Sequence, residues 1–302
     1  MPALSLNGVA IDDTFAEAFG MRATAIVITA DGAAWARQAA VTMTGFATSV
    51  IACGCEAAID AELDPADTPD GRPGVRVLIF SVSTKMLETQ LQARVGQCVL
   101  TSPGSACFAG LSGEESLKIG DALRYFGDGW QIAKQIGGRR YWRIPVMDGE
   151  FVCEGTTGLT KAAVGGGNLL LMGRDRPSTL RAAEAAVAAI AAVPDVIMPF
   201  PGGIVRSGSK VGSKYKALPA STNHAYCPTL RGRVASELTP EIGSVLEIVI
   251  DGLTAESVRE AMRAGLHAAC ALGPEDGAVR IGAGNYGGKL GQFHYRLGEL
   301  VP

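Results

Sequence analysis

Hydrophobic and polar positions along the chain switch between two periods, and the switches predict the elements. ATAIVITA (23–30), VRVLIFSV (75–82), NLLLMG (168–173), DVIMPF (195–200), SVLEIVIDGL (244–253) and AVRIGA (278–283) are short apolar or alternating runs and read as strands. TSVIAC (48–53) and QCVLT (97–101) are read the same way. Segments 32–45, 84–96, 177–193 and 254–270 carry the wider helical spacing. Pro177 suits a helical first turn, and Thr254 with Ser257 offers hydroxyls to exposed amides at the last helix start. DPADTPDGRPG (64–74) is turn-rich and forbids regular structure. TFAEAF places Thr14 three residues before Glu17, the spacing of a capping box, which predicts a helix start and a purely local role for Glu17.

Each half of the chain therefore runs β-α-β, link, β-α-β. That is the split βαβ, or ferredoxin-like, plan, with helices on one face of a mostly antiparallel sheet. The expectation is an α+β protein of two duplicated lobes, residues 1–150 and 151–302, with inserted strands. Segment 111–167 reads as an excursion containing a hairpin around Gly137 and Gly138.

Composition narrows the function classes. The chain has 302 residues, is 47% hydrophobic and 19% charged, and carries a net charge of −3. It can bury a large core, and no basic patch points to nucleic acid. Seven cysteines include no C-x-x-C pair, so the expected compartment is reducing and cytoplasmic, with neither a zinc site nor a disulfide framework. No apolar run is long enough to span a membrane, and no signal peptide is expected.

Two glycine-rich stretches imitate nucleotide motifs. GGIVRSGSKVGSKY (202–215) has Gly203 and Gly208 at P-loop spacing, but Ser209 and Lys210 follow in the wrong order and no helix is signalled. IGAGNYGGKLG (281–291) has Gly282, Gly284 and Gly287 in G-x-G-x-x-G, but lacks the following helix and the room for a second strand. Nucleotide binding is rejected for both. The same loops carry Lys210, Lys214, Lys216 and Lys289 with Tyr215 and Tyr286. This set suits a long anionic ligand with a flat ring, and suits a solvated loop equally well when each residue is judged alone.

SVLEIVIDGL is more telling. Leu246, Ile248 and Ile250 share one face of the strand, and Val245, Glu247, Val249 and Asp251 the other. If the second face is covered, Glu247 is a carboxyl with a raised pKa, suited to donate a proton. If it is open, Glu247 is an outward polar residue. His224, His267 and His294 have no metal spacing, and no G-x-S-x-G elbow exists. Direct transfer between two bound substrates fits better than covalent catalysis.

The strings NGVAIDDTFAEAFGM, TGFATSVI, TPDGRPG, LETQLQARVGQCVLT, PFPGGIVRSGSKVGSKYK, EIVIDGL and AGNYGGKLG, in this order, resemble the formylmethanofuran–tetrahydromethanopterin formyltransferase family over essentially the whole chain. The resemblance implies formyl transfer between N5 of tetrahydromethanopterin and the amine of methanofuran, both bound as substrates, without a metal. It implies a homo-oligomer, dimer or tetramer, and in methylotrophs a formyltransferase/hydrolase complex with hydrolase and furan-binding subunits. It assigns Glu247 as the catalytic acid. It assigns Ser207, Gly208, Ser209, Lys210, Tyr215, Lys216, Asn285, Tyr286 and Lys289 to substrate binding. A non-catalytic coenzyme-binding or scaffolding subunit is the alternative. Segment 111–143 matches less closely, and its role stays open, partner contact included.

Overall fold

Three short strands open the computed structural model, which describes residues 4–302: β1 (Ser5–Leu6), β2 (Val9–Ile11) and β3 (Phe15–Gly20). β3 overturns the capping box expected at Thr14 and Glu17. Ala16, Glu17 and Ala18 are all buried, and residues 15–18 pair antiparallel with residues 293–296; this long-range pairing overrides the local cap.

The unit Gly20–Ala163 then runs β4 (Arg22–Thr29), α1 (Ala33–Thr44), β5 (Glu56–Leu63), β6 (Gly74–Ser81), α2 (Thr84–Arg94) and β7 (Ala106–Ala109). These strands order as β5-β6-β4-β7, every neighbour antiparallel. β8 (Glu115–Lys118) follows, then the hairpin of β9 (Ile132–Ile136) and β10 (Arg139–Val146), then β11 (Gly149–Glu154), which extends the sheet beside β7, and β12 (Thr156–Leu159), which pairs with β8. The hairpin expected at Gly137 and Gly138 is present. Both have positive φ, 57° and 79°, as a two-residue turn matched to strand twist requires.

Two predicted strands are corrected here. Residues 48–53 do not form a strand: Ser49 accepts a hydrogen bond from the Ile51 amide and starts a single helical turn, Val50–Cys53, which left-handed Gly54 ends. Residues 97–101 continue the preceding helix as a π-turn, Val95–Val99. Leu87, Leu91, Val95 and Val99 make one fully buried stripe, and that stripe carries the helix through Gly96.

The second unit joins the segment up to Phe19 with Val164–Pro302. The division expected at residue 150 therefore falls inside β11, and the N-terminal strands pack with the later part of the chain. The unit contains β13 (Val164–Gly173), α3 (Arg176–Ile190), β14 (Val196–Ile197), the small pair β15 (Lys210–Val211) and β16 (Ala220–Ser221), β17 (Ser244–Gly252), α4 (Ala255–Ala271), β18 (Arg280–Gly282) and β19 (Phe293–Arg296). β18-β13-β17-β14 is the central order, again antiparallel. β14 stops short of the predicted 195–200 because Pro199 has no amide to donate to a ladder. Asp175 caps α3 through the Ser178 amide, and Thr254 and Ser257 form a reciprocal capping box on α4. Leu169, Leu171, Ile248 and Ile250 face Ala183, Ala186, Ile190, Val258, Met262 and Leu266 of these helices in the unit's core. The protein is thus a mixed α+β molecule of two lobes.

Candidate functional site

β17 presents Glu247 on the face away from the helices. Its strand partner Leu170 also pairs with Gly282 on β18. On its other side Val205 and Glu247 exchange both backbone hydrogen bonds, at 2.7 and 2.9 Å. Val205, Glu247, Leu170 and Gly282 therefore form one row across the sheet. Leu170 and Met172 on this face are covered by Leu238 and Ile242, with Tyr226 and Val245 alongside. Glu247 is half-buried beside them, and burial lifts its carboxyl pKa from 4.5 to about 7.

The glycine-rich turn after β18 rises from the same row. Asn168, on the Glu247 face of β13, clamps Gly284: its Oδ1 accepts from the Gly284 amide at 2.6 Å and its Nδ2 donates to the Gly284 carbonyl at 3.1 Å. Asn285 donates to Thr14 Oγ1 and the Phe15 carbonyl, and accepts from the Gly287 amide. Glu17 then collects the rest of the turn. Its Oε2 accepts from the amides of Tyr286 (2.6 Å) and Gly288 (2.8 Å), and its Oε1 from Leu290 (2.6 Å) and Gly291 (2.7 Å). Burial alone would raise this carboxyl's pKa, but the four donors overcome it and leave the group at about 2. The Tyr286 ring lies 6.0 Å from Phe19. Its phenol is pushed above the ordinary range by burial, then by the charges of Glu247 and Glu17.

The other predicted loop leaves the sheet at Val205. Ser207 and Ser209 are exposed, and Gly208 takes a positive φ of 57°. Lys210 starts β15 opposite Ser221 and reaches toward the Gly212 carbonyl. Tyr215 is 75% exposed, and Lys214, Lys216 and Lys289 are exposed without an ion pair among the described residues. The structure brings Glu247, Tyr286 and the root of the Ser207 loop together. No hydrogen bond or ion pair among the described residues joins Ser207–Lys216 to Asn285–Lys289. Glu17 and Asn168 are the residues that sequence reasoning missed as site builders. The signal was a lone charge in a short apolar run, Phe15 to Phe19, with a glycine-rich turn elsewhere needing an acceptor. Two surface depressions of about 310 and 510 Å³ lie in the other unit around Asp121 and Arg140. They contain none of these residues, and the Arg140–Asp121 and Arg139–Glu154 pairs partly neutralise their charges.

The chain matches two family models end to end. Residues 4–146 match "Formylmethanofuran-tetrahydromethanopterin formyltransferase" and residues 149–300 match "FTR, proximal lobe". The chain belongs to the formylmethanofuran–tetrahydromethanopterin formyltransferase family. A Methylococcus capsulatus formylmethanofuran–tetrahydromethanopterin formyltransferase is 64% identical over 296 residues, covering 98% of this chain and 99% of the relative. In the crystal structure of the formyltransferase/hydrolase complex from Methylorubrum extorquens with methylofuran, one chain superposes with a TM-score of 0.97 at 58% identity, covering 99% of each chain. The Methanosarcina barkeri formyltransferase superposes with a TM-score of 0.92 at 45% identity, covering 98% of this chain and all of that one. The family resemblance read from the sequence is borne out. The chain is a formyltransferase of one-carbon metabolism, acting between methanofuran and tetrahydromethanopterin. No helix of the described residues is long and apolar enough to cross a membrane.

Proposed function

We propose that formyl passes directly between N5 of tetrahydromethanopterin and the primary amine of methanofuran, with protonated Glu247 stabilising the oxyanion. The observation that carries this reading is the half-buried Glu247 carboxyl, held at about 7 by burial. A carboxyl raised this far retains its proton in a substantial share of molecules at neutral pH, where an ordinary glutamate has lost it. The amine nitrogen attacks the formyl carbon, and the carbonyl π pair moves onto oxygen. The Glu247 proton hydrogen-bonds that developing oxyanion. Collapse breaks the old C–N bond, and the leaving nitrogen takes up a proton as the attacking nitrogen loses one. Aligning two large substrates and stabilising the oxyanion account for the rate, as in other acyl transfers.

Tyr286, Asn285 and Lys289 form one wall of the proposed cleft, and Ser207, Gly208, Ser209, Lys210, Tyr215 and Lys216 the other. Tyrosines and loop backbone meet the rings, and lysines meet acidic tails. No resident metal is invoked. The two lobes are proposed to be duplicated split βαβ modules, one before and one after residue 150 except for the N-terminal strands. Support comes from the repeated antiparallel strand order, second-third-first-fourth, in both units. A place alongside hydrolase and furan-binding subunits is supported by kinship to the chain solved within the Methylorubrum formyltransferase/hydrolase complex, while assembly as a homo-oligomer in the cytoplasm rests on the family resemblance.

The test mixes the purified chain with formyl-tetrahydromethanopterin and methanofuran and follows both by chromatography. Glu247→Gln should lower kcat by about 100-fold, with coenzyme affinities changed by less than about threefold, the pattern of a group acting mainly in the transition state. Undiminished transfer in the variant would remove Glu247 from the chemistry. A folded wild type that binds pterin but transfers nothing would favour the non-catalytic coenzyme-binding subunit.

A further inference from the structure

We infer that Glu17 is a positioning residue: its carboxylate holds the 286–291 loop in the shape that sets Tyr286 beside Glu247. The geometry is specific. A carboxylate has about four acceptor sites, and four amides of one short segment, from Tyr286, Gly288, Leu290 and Gly291, take two on each oxygen at 2.6–2.8 Å. These are short, charge-assisted bonds. Within the loop Gly287 and Gly288 both sit at positive φ, 78° and 70°, and apart from Glu17 its own amides meet, among the described residues, only Asn285 Oδ1, at Gly287. Glu17 itself is 1% exposed, on a strand whose neighbours Ala16 and Ala18 are fully buried. At the loop's far end Gly291 packs so closely that a Cβ there would lie 2.5 Å from the Ala18 carbonyl oxygen. The near end is held by Asn168 one step along the face from Leu170, the strand partner of Glu247.

The amide that opens the set of four belongs to Tyr286. Its placement over the Glu247 row follows from the anchor, not from ring packing alone, because Tyr286 is still 41% exposed. The titratable groups around Glu247 are Tyr286 and, behind it, Glu17. Asp251 shares its strand face. Tyr226 comes from the covering segment, and Arg280 is paired with Asp12 on the β18 side. Tyr286 is the one of these that the loop can move. The inference leans on the proposed function only in taking Glu247 as the acid that Tyr286 borders.

The experiment is a double-mutant cycle on the full chain, read at the Tyr286 phenol by ¹³C-tyrosine NMR, with Tyr286→Phe assigning the signal. In the wild-type background, Glu247→Gln should lower the Tyr286 titration midpoint by about half a pH unit or more, because it removes a nearby negative charge. In the Glu17→Gln background that effect should fall to less than about half, because the side-chain amide offers one acceptor oxygen and turns donors toward the remaining N–H groups. Amide exchange gives the second reading. The amides of Tyr286, Gly288, Leu290 and Gly291 should exchange about 10-fold or more slowly than that of Lys289, and Glu17→Gln should erase the difference, whereas the Gly287 amide, which donates to Asn285 Oδ1, should change little. Equal coupling in both backgrounds, no coupling in the wild type, or four unprotected amides would each overturn the inference. If Glu17→Gln does not fold, Glu17→Asp replaces it under the same criteria, because the shorter side chain withdraws the carboxylate from the loop. Catalytic activity of Glu247→Gln alone decides the proposed acid role, so failure there and failure of the anchor give different results.

Discussion

Two carboxylates of the second lobe are driven in opposite directions by their surroundings. Glu17 is buried among amide donors and sits at about 2. Glu247 is half-buried without comparable donors and sits at about 7. Such a split separates a permanently charged anchor from a group that can hold a proton at neutral pH. The signs of the stability effects follow. Glu247 binds its proton more tightly folded than unfolded, so wild-type stability should fall as pH rises from about 4.5 to about 7, by at most about 3 kcal/mol. Urea titrations across that window should show the decline in wild type and its loss in Glu247→Gln. Glu17 works the other way. Its contribution is fully present above about 4.5 and is lost as pH falls toward about 2. Urea midpoints between those values should drop more steeply for wild type than for Glu17→Gln, and parallel curves would show that the anchor carries no stability.

At the scale of elements, sequence reading succeeded where one period stood alone. The strands around Val77, Leu170 and Ile248 and the four main helices lie where alternation and helical spacing put them, with ends shifted by a few residues. It failed where local and long-range demands competed. TFAEAF has the letters of a helix cap, yet its pairing with β19 makes it a strand. TSVIAC looks extended, yet Ser49 and Gly54 bracket one helical turn. QCVLT is β-rich, yet Val95 and Val99 complete a buried helical stripe. EAAIDAEL hides a strand because Glu56, Asp60 and Glu62 interrupt its apolar positions. The site was legible to the same extent: Glu247 stands out in its strand, whereas the Glu17 amide ligands lie more than 260 residues away in sequence, beyond any spacing rule. The capping box at α4 was legible and supports a local prediction. The Ser257 amide donates to Thr254 Oγ1 at 3.0 Å, and the Thr254 amide to Ser257 Oγ at 3.2 Å. Thr254→Ala should cost about 1 kcal/mol in urea unfolding, with formyl transfer per folded molecule unchanged.

For the whole molecule, chain order and packing order differ, because the N-terminal strands belong to the later lobe. Pairing of β2 with β18, Ala10 to Arg280 and Ile11 to Ile281, spans nearly the entire chain, so no periodicity could announce it. Removing the segment up to Phe19 should therefore injure the unit built on Val164–Pro302 and spare Gly20–Ala163. Four buried core residues leave with it, Val9, Ile11, Ala16 and Ala18. So does Asp12, whose Oδ1 accepts from Arg280 Nε at 2.6 Å; a half-buried guanidinium deprived of that partner is a strong penalty. The 286–291 loop loses its only carboxylate anchor among the described residues. Meanwhile β4, β5, β6 and β7 draw their pairing and their core from within their own unit. Hydrogen exchange on the truncated chain should show fast exchange in β13, β17 and β18 and native protection in β4 and β6, with formyl transfer abolished. Native protection in β18 would refute the role assigned to the N-terminal strands. Loss of protection in β4 and β6 as well would show that the first unit does not stand on its own core.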